Sequence, residues 1–430
     1  MTPVAFRIHS PLKLVLFPAM VMVLLWLFAP IDFIFSGDPE TLLYSGFLVL
    51  LFGLGLLFGS RRWRTKTITL EVSKRRVGRL VHLLAVFGFA GLFLRFYERV
   101  ILRAGGEISS DFMANRELIA SGGSSSLALI AGFLATWLMF LPCAVMLLRK
   151  TGDLRMRYGL LAVLSLTYPL FDMVLQGSRS TLVMYAGVVF ICFITLNRFR
   201  ATPRSLALVT VGVAFMPLSL WLMGQVFAMR ALQMGIDPIV SMTTSGYAFF
   251  APASGELTRY LAASGMEGMN GFIYAFTHAC QYLLHGMYEF FYVLKNIQGA
   301  GTDGLQTFYI PVKIFSSLSG GGDVEQRIVD GMLRPGVYTT LWGPMIYDFG
   351  LFGAPIASLL FGYVSGVLSR KMCAGYLEFF PLYVLVFSFL IFAFVVSLFA
   401  SGTGQYSIYS YLSLYFVLRL RSYRLMASHS

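Results

Sequence analysis

The sequence predicts an all-α polytopic integral membrane protein, with about ten transmembrane helices and one large outward-facing segment containing interfacial helices. Three observations predict it. The 430 residues are 57% hydrophobic and only 12% charged, whereas soluble domains carry roughly 25% charge. The apolar residues fall in runs of about 17–25, the length that crosses a bilayer core as helix. They lack the every-second-residue alternation of membrane β-barrel strands. Soluble enzymes, disordered scaffolds and β-barrels are therefore excluded.

The first run, 12–34, is long and no small-residue cleavage site follows it, so it reads as an anchor and not a removed signal peptide. The second, 41–59, starts after the turn-forming Gly-Asp-Pro-Glu and stops at Arg61 and Arg62. Runs 79–101 and 126–148 are each bounded by basic residues at one end, the latter by Arg149 and Lys150. Runs 158–176 and 180–197 meet at the tight Gly-Ser-Arg-Ser turn, and 205–226 completes an N-terminal seven-helix unit, 1–226. Three further runs, 345–369, 376–400 and 406–420, form a C-terminal unit within 345–430.

With the chain threaded this way, the basic clusters at Arg61–Arg79, Arg149–Arg157, Arg198–Arg204, Arg370–Lys371 and Arg419–Arg424 all fall on one side. That is the positive-inside pattern. It places both termini on the cytoplasmic side of the membrane the chain crosses. The net charge of +13 is then a topology signal, and no nucleic-acid partner is expected.

Residues 227–344 form the large periplasmic segment. Its apolar stretch 271–296 is long enough to span, but spanning would put the later basic clusters on the wrong side. It also carries two His, a Gln and a Glu, which are costly in lipid. A helix in the outer interface, or one dipping into the bundle, is expected there.

Cys143, Cys192, Cys280 and Cys373 are far apart and form no CxxC pair, so neither disulfides nor zinc is expected. No phosphate-binding or dinucleotide-binding glycine loop occurs, and no cofactor or metal is expected. Asp323-Val324-Glu325 is the nearest approach to an acidic metal-binding pair.

Arginines on the outward side are the strongest chemical signal, because a guanidinium grips phosphate oxygens in forked geometry and keeps its charge. Arg179 sits in the Gly-Ser-Arg-Ser turn, with Asp172 as the nearest acid. Arg95, Arg99 and Arg103 recur every four residues as a stripe. Arg116 lies in a medium loop, and Arg230 ends the seventh run. The competing reading is that each snorkels to headgroups or pairs with a local acid such as Glu98.

The second signal is His278, His285 and Glu289, spaced by seven and four residues. They fall within about 20° of one helical line, flanked by Tyr274, Gln281 and Tyr282. Such a stripe is expected to face a wet cavity, where a His can move a proton and a Glu can orient it. The competing reading is an interfacial helix whose His residues sit at headgroup level.

The stretches ANRELIASGG (114–123), GSRSTLVMYAG (177–187), QVFAMRALQMG (225–235), LLHGMYEFFYVL (283–294) and RPGVYTTLWGPMIYDFGLFGAPIASLLFGYVSG (334–366) resemble the bacterial O-antigen polymerases, the Wzy-type oligosaccharide repeat-unit polymerases. With the topology, the likeness covers most of the chain. The chain lacks the clear two-loop Arg-to-Gly repeat of some members. The resemblance implies an inverting glycosyltransferase at the outer face of the cytoplasmic membrane. It would join undecaprenyl-pyrophosphate-linked repeat units in lipopolysaccharide or other surface polysaccharide biosynthesis.

In that reading Arg179, Arg230, Arg116 and Arg99 hold the pyrophosphate, and Tyr338, Arg334 and Asp348 of the last stretch bind substrate. His285, Glu289 and His278 act near the acceptor. The partners implied are lipid-linked glycans, membrane lipids, and a chain-length regulator and flippase of the same pathway. An O-antigen ligase, differing in acceptor, and a polysaccharide-lipid transporter are the alternatives.

Overall fold

The computed structural model describes all residues except 35–37, 62–63, 110, 122–125, 154, 177, 179, 198–220, 222–223, 226, 230, 300, 320–323 and 421–430. Most of the expected helix 205–226, with Arg179 and Arg230, lies outside the described residues.

A two-stranded ribbon precedes the helices. Strand β1 (Thr2–Ile8) pairs antiparallel with β2 (Lys66–Val72), in the register Thr2↔Val72 to Ile8↔Lys66. Val4, Phe6 and Ile8 are buried from one strand and Leu70 and Val72 from the other, the period-2 burial of a strand with one face on a core. The sequence reading assigned no element here, so the ribbon corrects the all-helical expectation at this end.

Helix α1 is Pro11–Phe28 and α2 is Pro39–Ser60. Asp38 caps α2, accepting hydrogen bonds from the Thr41 amide (2.8 Å) and hydroxyl (2.7 Å), and Pro39 opens the first turn. A proline there forfeits no helical hydrogen bond. Helix α3, Lys74–Phe96, continues as a π-helical turn, Tyr97–Arg103. After α4 (Phe112–Ser121) come two broken rods: α5 (Ser126–Ala135) with α6 (Trp137–Lys150), and α7 (Met156–Leu164) with α8 (Thr167–Gln176). Helix α9, Ser180–Leu196, follows.

Within 227–344 lie α10 (Pro238–Thr244), α11 (Gly255–Ser264), α12 (Met269–Asn296), α13 (Tyr309–Ser319) and α14 (Val324–Asp330). The C-terminal part holds α15 (Trp342–Cys373), α16 (Phe380–Ile391) and α17 (Gly402–Leu420). Among the described residues, six stretches are long and apolar enough to cross a membrane: Pro11–Phe28, Pro39–Ser60, Lys74–Arg103, Leu127–Lys150, Met156–Gln176 and Trp342–Cys373.

Helices α2 and α15 approach backbone to backbone. A Cβ on Gly55 would lie 2.1 Å from the Leu359 carbonyl oxygen, and one on Gly59 2.2 Å from that of Tyr363. From the other side, a Cβ on Gly362 would lie 2.2 Å from the Phe52 oxygen and one on Gly366 2.4 Å from that of Leu56. Both helices thus carry a Gly-x-x-x-Gly pair at the crossing. Between apolar helices in lipid, such close packing replaces the hydrophobic drive available in water.

The segment 227–344 is sewn into the bundle. The Asp32 and Ile34 amides donate to the Pro252 and Phe250 carbonyls, both at 2.9 Å, and the Ser254 amide donates to Pro30. Helix α12 packs against α1, α2 and α15 and buries most of one face, with Trp26 Nε1 donating to the Tyr288 hydroxyl at 2.5 Å.

Of the expected C-terminal helices, one is kinked and one is shorter than expected. Gly350 has φ 62° and ψ −173°, a conformation open to glycine. It separates the buried turn 342–349 from the long apolar rod after it. The run 376–400 stays helical only from Phe380 to Ile391, roughly 18 Å. The backbone of 392–401 turns instead, pairing with 339–341: the Leu341 amide donates to Ala393 (2.7 Å) and the Ser397 amide to Thr339 (2.9 Å).

Candidate functional site

The turning segment 392–402 borders a cavity of about 650 Å³. Non-helical backbone inside an apolar bundle survives where protein satisfies its polar groups or a cavity lies beside it, and both hold here. Gln405 Nε2 donates to the Phe399, Gln306 and Thr307 carbonyls at 3.0–3.2 Å. Gly286 brings α12 alongside, since a Cβ there would lie 2.2 Å from the Val395 carbonyl oxygen.

One side of the cavity is polar and carries charge. Gln176 ends α8, and Ser178 and Ser180 line the cavity on either side of position 179. Arg116, on α4, also lines it and has no acidic partner within 4 Å among the described residues. No Asp, Glu or Lys is among the described lining residues. An arginine without a carboxylate, beside amides and hydroxyls, suits an anionic, hydroxyl-bearing ligand.

Another side is aromatic. Tyr247, Tyr282 and Tyr338 line the cavity, with ring centroids 5.5 Å (Tyr247–Tyr282), 5.2 Å (Tyr282–Tyr338) and 6.2 Å (Tyr247–Tyr338) apart. Tyr309 and Tyr347 add further rings to the lining. The Tyr309 hydroxyl donates to Glu325, which also pairs with Lys313. Burial alone would raise the Glu325 carboxyl, but these hydrogen bonds and the lysine charge hold it below its ordinary range.

The His278, His285, Glu289 stripe shares a helix face as expected, yet none of the three lines this cavity. His285 is 1% exposed and lies behind the tyrosines, 4.4 Å from the Tyr338 centroid and 4.8 Å from that of Tyr247. Its Nδ1 lies 3.1 and 3.0 Å from the Gln281 and Tyr282 carbonyl oxygens. Acceptors there require the proton on Nδ1. His278 stacks on Phe227 at 4.8 Å, with Ser241 Oγ 3.4 Å from Nε2. Glu289 pairs with Arg334, whose guanidinium sits 4.1 Å over Phe249. The structure thus places all three as buried groups with internal contacts, outside the described lining of the cavity and not at its surface as expected.

Two binding expectations change for the same reason. Asp348 is 3% exposed. It accepts from the Thr302 hydroxyl (2.6 Å) and the Gln306 (3.1 Å) and Thr307 (2.6 Å) amides. It therefore fixes the 302–307 turn, which presents Gln306 to the cavity, and is not among the described residues that line it. Arg334 is committed to Glu289. Tyr338 lines the cavity.

Arg99 is corrected as well. Arg95 donates to both Asp172 oxygens (3.1 and 3.0 Å), Arg99 donates to Oδ1 (2.7 Å), and the Thr181 hydroxyl donates to Oδ2 (2.9 Å). A carboxylate has about four acceptor positions, and these donors fill them. Arg103 pairs with Glu98. The stripe thus ties α3 and its π-turn to α8 and α9 and holds the end of α9 that carries Ser180.

The sequence reading missed Tyr247, Gln176, Gln306, Ser397 and Ser401. Aromatics make up 16% of the chain, so single tyrosines carry little signal. A signal was present in Ser397-Leu-Phe-Ala-Ser-Gly-Thr-Gly404, where small and polar residues interrupt an apolar run. No family model matches this chain, and no curated protein or solved structure matches it either.

Proposed function

We propose that the protein is an inverting glycosyltransferase that polymerises polyprenyl-pyrophosphate-linked oligosaccharide repeat units at the outer face of the bacterial cytoplasmic membrane. The chain crosses that membrane about ten times, with both termini cytoplasmic and 227–344 periplasmic, as the basic clusters argue. The observation that carries the reading is the cavity itself. It has Arg116 with no acidic partner among the described residues, serines on either side of position 179, and tyrosine, amide and hydroxyl walls with no carboxylate among the described lining residues, all within a bundle of apolar helices.

In this reading Arg116 and Arg179 hold the diphosphate of the donor. As the acceptor hydroxyl attacks the anomeric carbon, the carbon–oxygen bond to phosphate breaks and the new glycosidic bond forms. Charge builds on the departing diphosphate, where fixed guanidinium groups stabilise it most. Diphosphate is a good leaving group and needs no strong general acid. The acceptor's proton leaves to solvent or to the diphosphate.

The test is chain extension by the purified protein on lipid-linked repeat units, together with the surface polysaccharide of a deletion strain. A ladder collapsing to single repeat units is expected. An unchanged ladder, or polymer capped onto a different acceptor in a single step, overturns the polymerase reading.

A further inference from the structure

Resting on the proposed function, we infer that Tyr247, Tyr282 and Tyr338 form a stacking subsite for the sugar rings of the glycan, distinct from the arginines that hold the diphosphate. All three line the cavity. Tyr282 meets Tyr247 at 72° and Tyr338 at 68°, so the cluster offers both ring faces and ring edges. The apolar CH face of a pyranose packs on a tyrosine face.

The rings are held before any ligand arrives. His285 packs edge-on against Tyr338 and Tyr247 and is pinned by the Gln281 and Tyr282 carbonyls. The Tyr338 hydroxyl reaches the Tyr282 carbonyl at 3.4 Å. Rigid aromatic area binds with little loss of conformational freedom.

The remaining walls select the ligand class. Gln176, Gln306, Ser397 and Ser401 both donate and accept, which is what sugar hydroxyls require. An acyl chain would leave these polar groups unanswered. A cationic sugar would meet Arg116 and no carboxylate among the described lining residues. The subsite therefore takes neutral or acidic sugars. At about 650 Å³ the cavity falls within the usual range for small-ligand sites, about 300–1,000 Å³.

The experiment measures binding to the full-length protein in nanodiscs of two probes: bare polyprenyl diphosphate, and the same carrier bearing its oligosaccharide repeat unit. The wild type is expected to bind the glycan-bearing lipid more tightly. Tyr338→Leu and Tyr247→Leu should each weaken the glycan-bearing probe about tenfold and leave bare diphosphate within about twofold. Tyr338→Phe, which keeps the ring, should retain most of the affinity. Equal affinity of the wild type for both probes, or equal loss of both in the leucine variants, overturns the subsite and leaves the diphosphate reading standing. Failure of the wild type to bind either probe overturns the proposed function as well.

Discussion

A histidine on an apolar helix reads as an acid–base group until its surroundings are known. His285 has carbonyl acceptors at Nδ1 and packs edge-on against two tyrosines of the cavity wall, the surroundings of a positioning residue. Asparagine places an amide N–H close to where Nδ1–H sits. His285→Asn should keep kcat within about threefold and leave the pH–rate profile unchanged, while His285→Ala raises KM through loosened tyrosines. Loss of a pH–rate limb in His285→Asn would return the residue to acid–base catalysis. For Arg179, Ala should abolish chain extension in a protein that still inserts. Lys should recover little, because one ammonium replaces a planar two-pronged donor. The acceptor positions of Asp172, the nearest acid in sequence, are filled by Arg95, Arg99 and Thr181. Near-normal polymer from Arg179→Ala would remove it from the mechanism.

At the scale of elements, two contacts position the cavity walls. The α2–α15 crossing tolerates nothing larger than glycine without backbone movement, so Gly362→Leu and Gly55→Leu should each destabilise the fold by about 3 kcal/mol or more. The melting midpoint of the solubilised protein reads this directly, with Gly46→Leu as control, since a Cβ there meets nothing within 4 Å. The second contact is the buried Asp172 cluster. Asp172→Asn removes the carboxylate that Arg95 and Arg99 share, a loss of about 3–5 kcal/mol for a buried pair. It should also lower activity by freeing Thr181 and the serine beside it. A wild-type melting midpoint in this variant would show that the cluster does not bind α3 to α8 and α9.

At the scale of the molecule, topology is the property most open to test. Cysteines placed within 299–325 should react with an impermeant reagent added outside, and those within 61–76 should not. Labelling at 61–76 from outside would invert the threading and remove the diphosphate site from the outer face.

Much of the architecture was legible because it depends on quantities the chain carries locally. Length and composition of apolar runs determine which segments can cross a bilayer, and basic residues beside those runs determine orientation. Turn residues such as Asp38-Pro39 mark where a helix begins. By the same local logic Arg116 was legible as an outward arginine, whereas Tyr338 was marked only by the resemblance of the stretch around it. What tertiary structure decided was the partner of each polar group. Glu289 met Arg334, Asp348 met the 302–307 turn, and Arg99 met Asp172 across more than seventy residues of chain. In an apolar interior a charged group is stable only when another group answers it. Which group answers it depends on how distant helices pack, and helical periodicity along one segment carries no information about that.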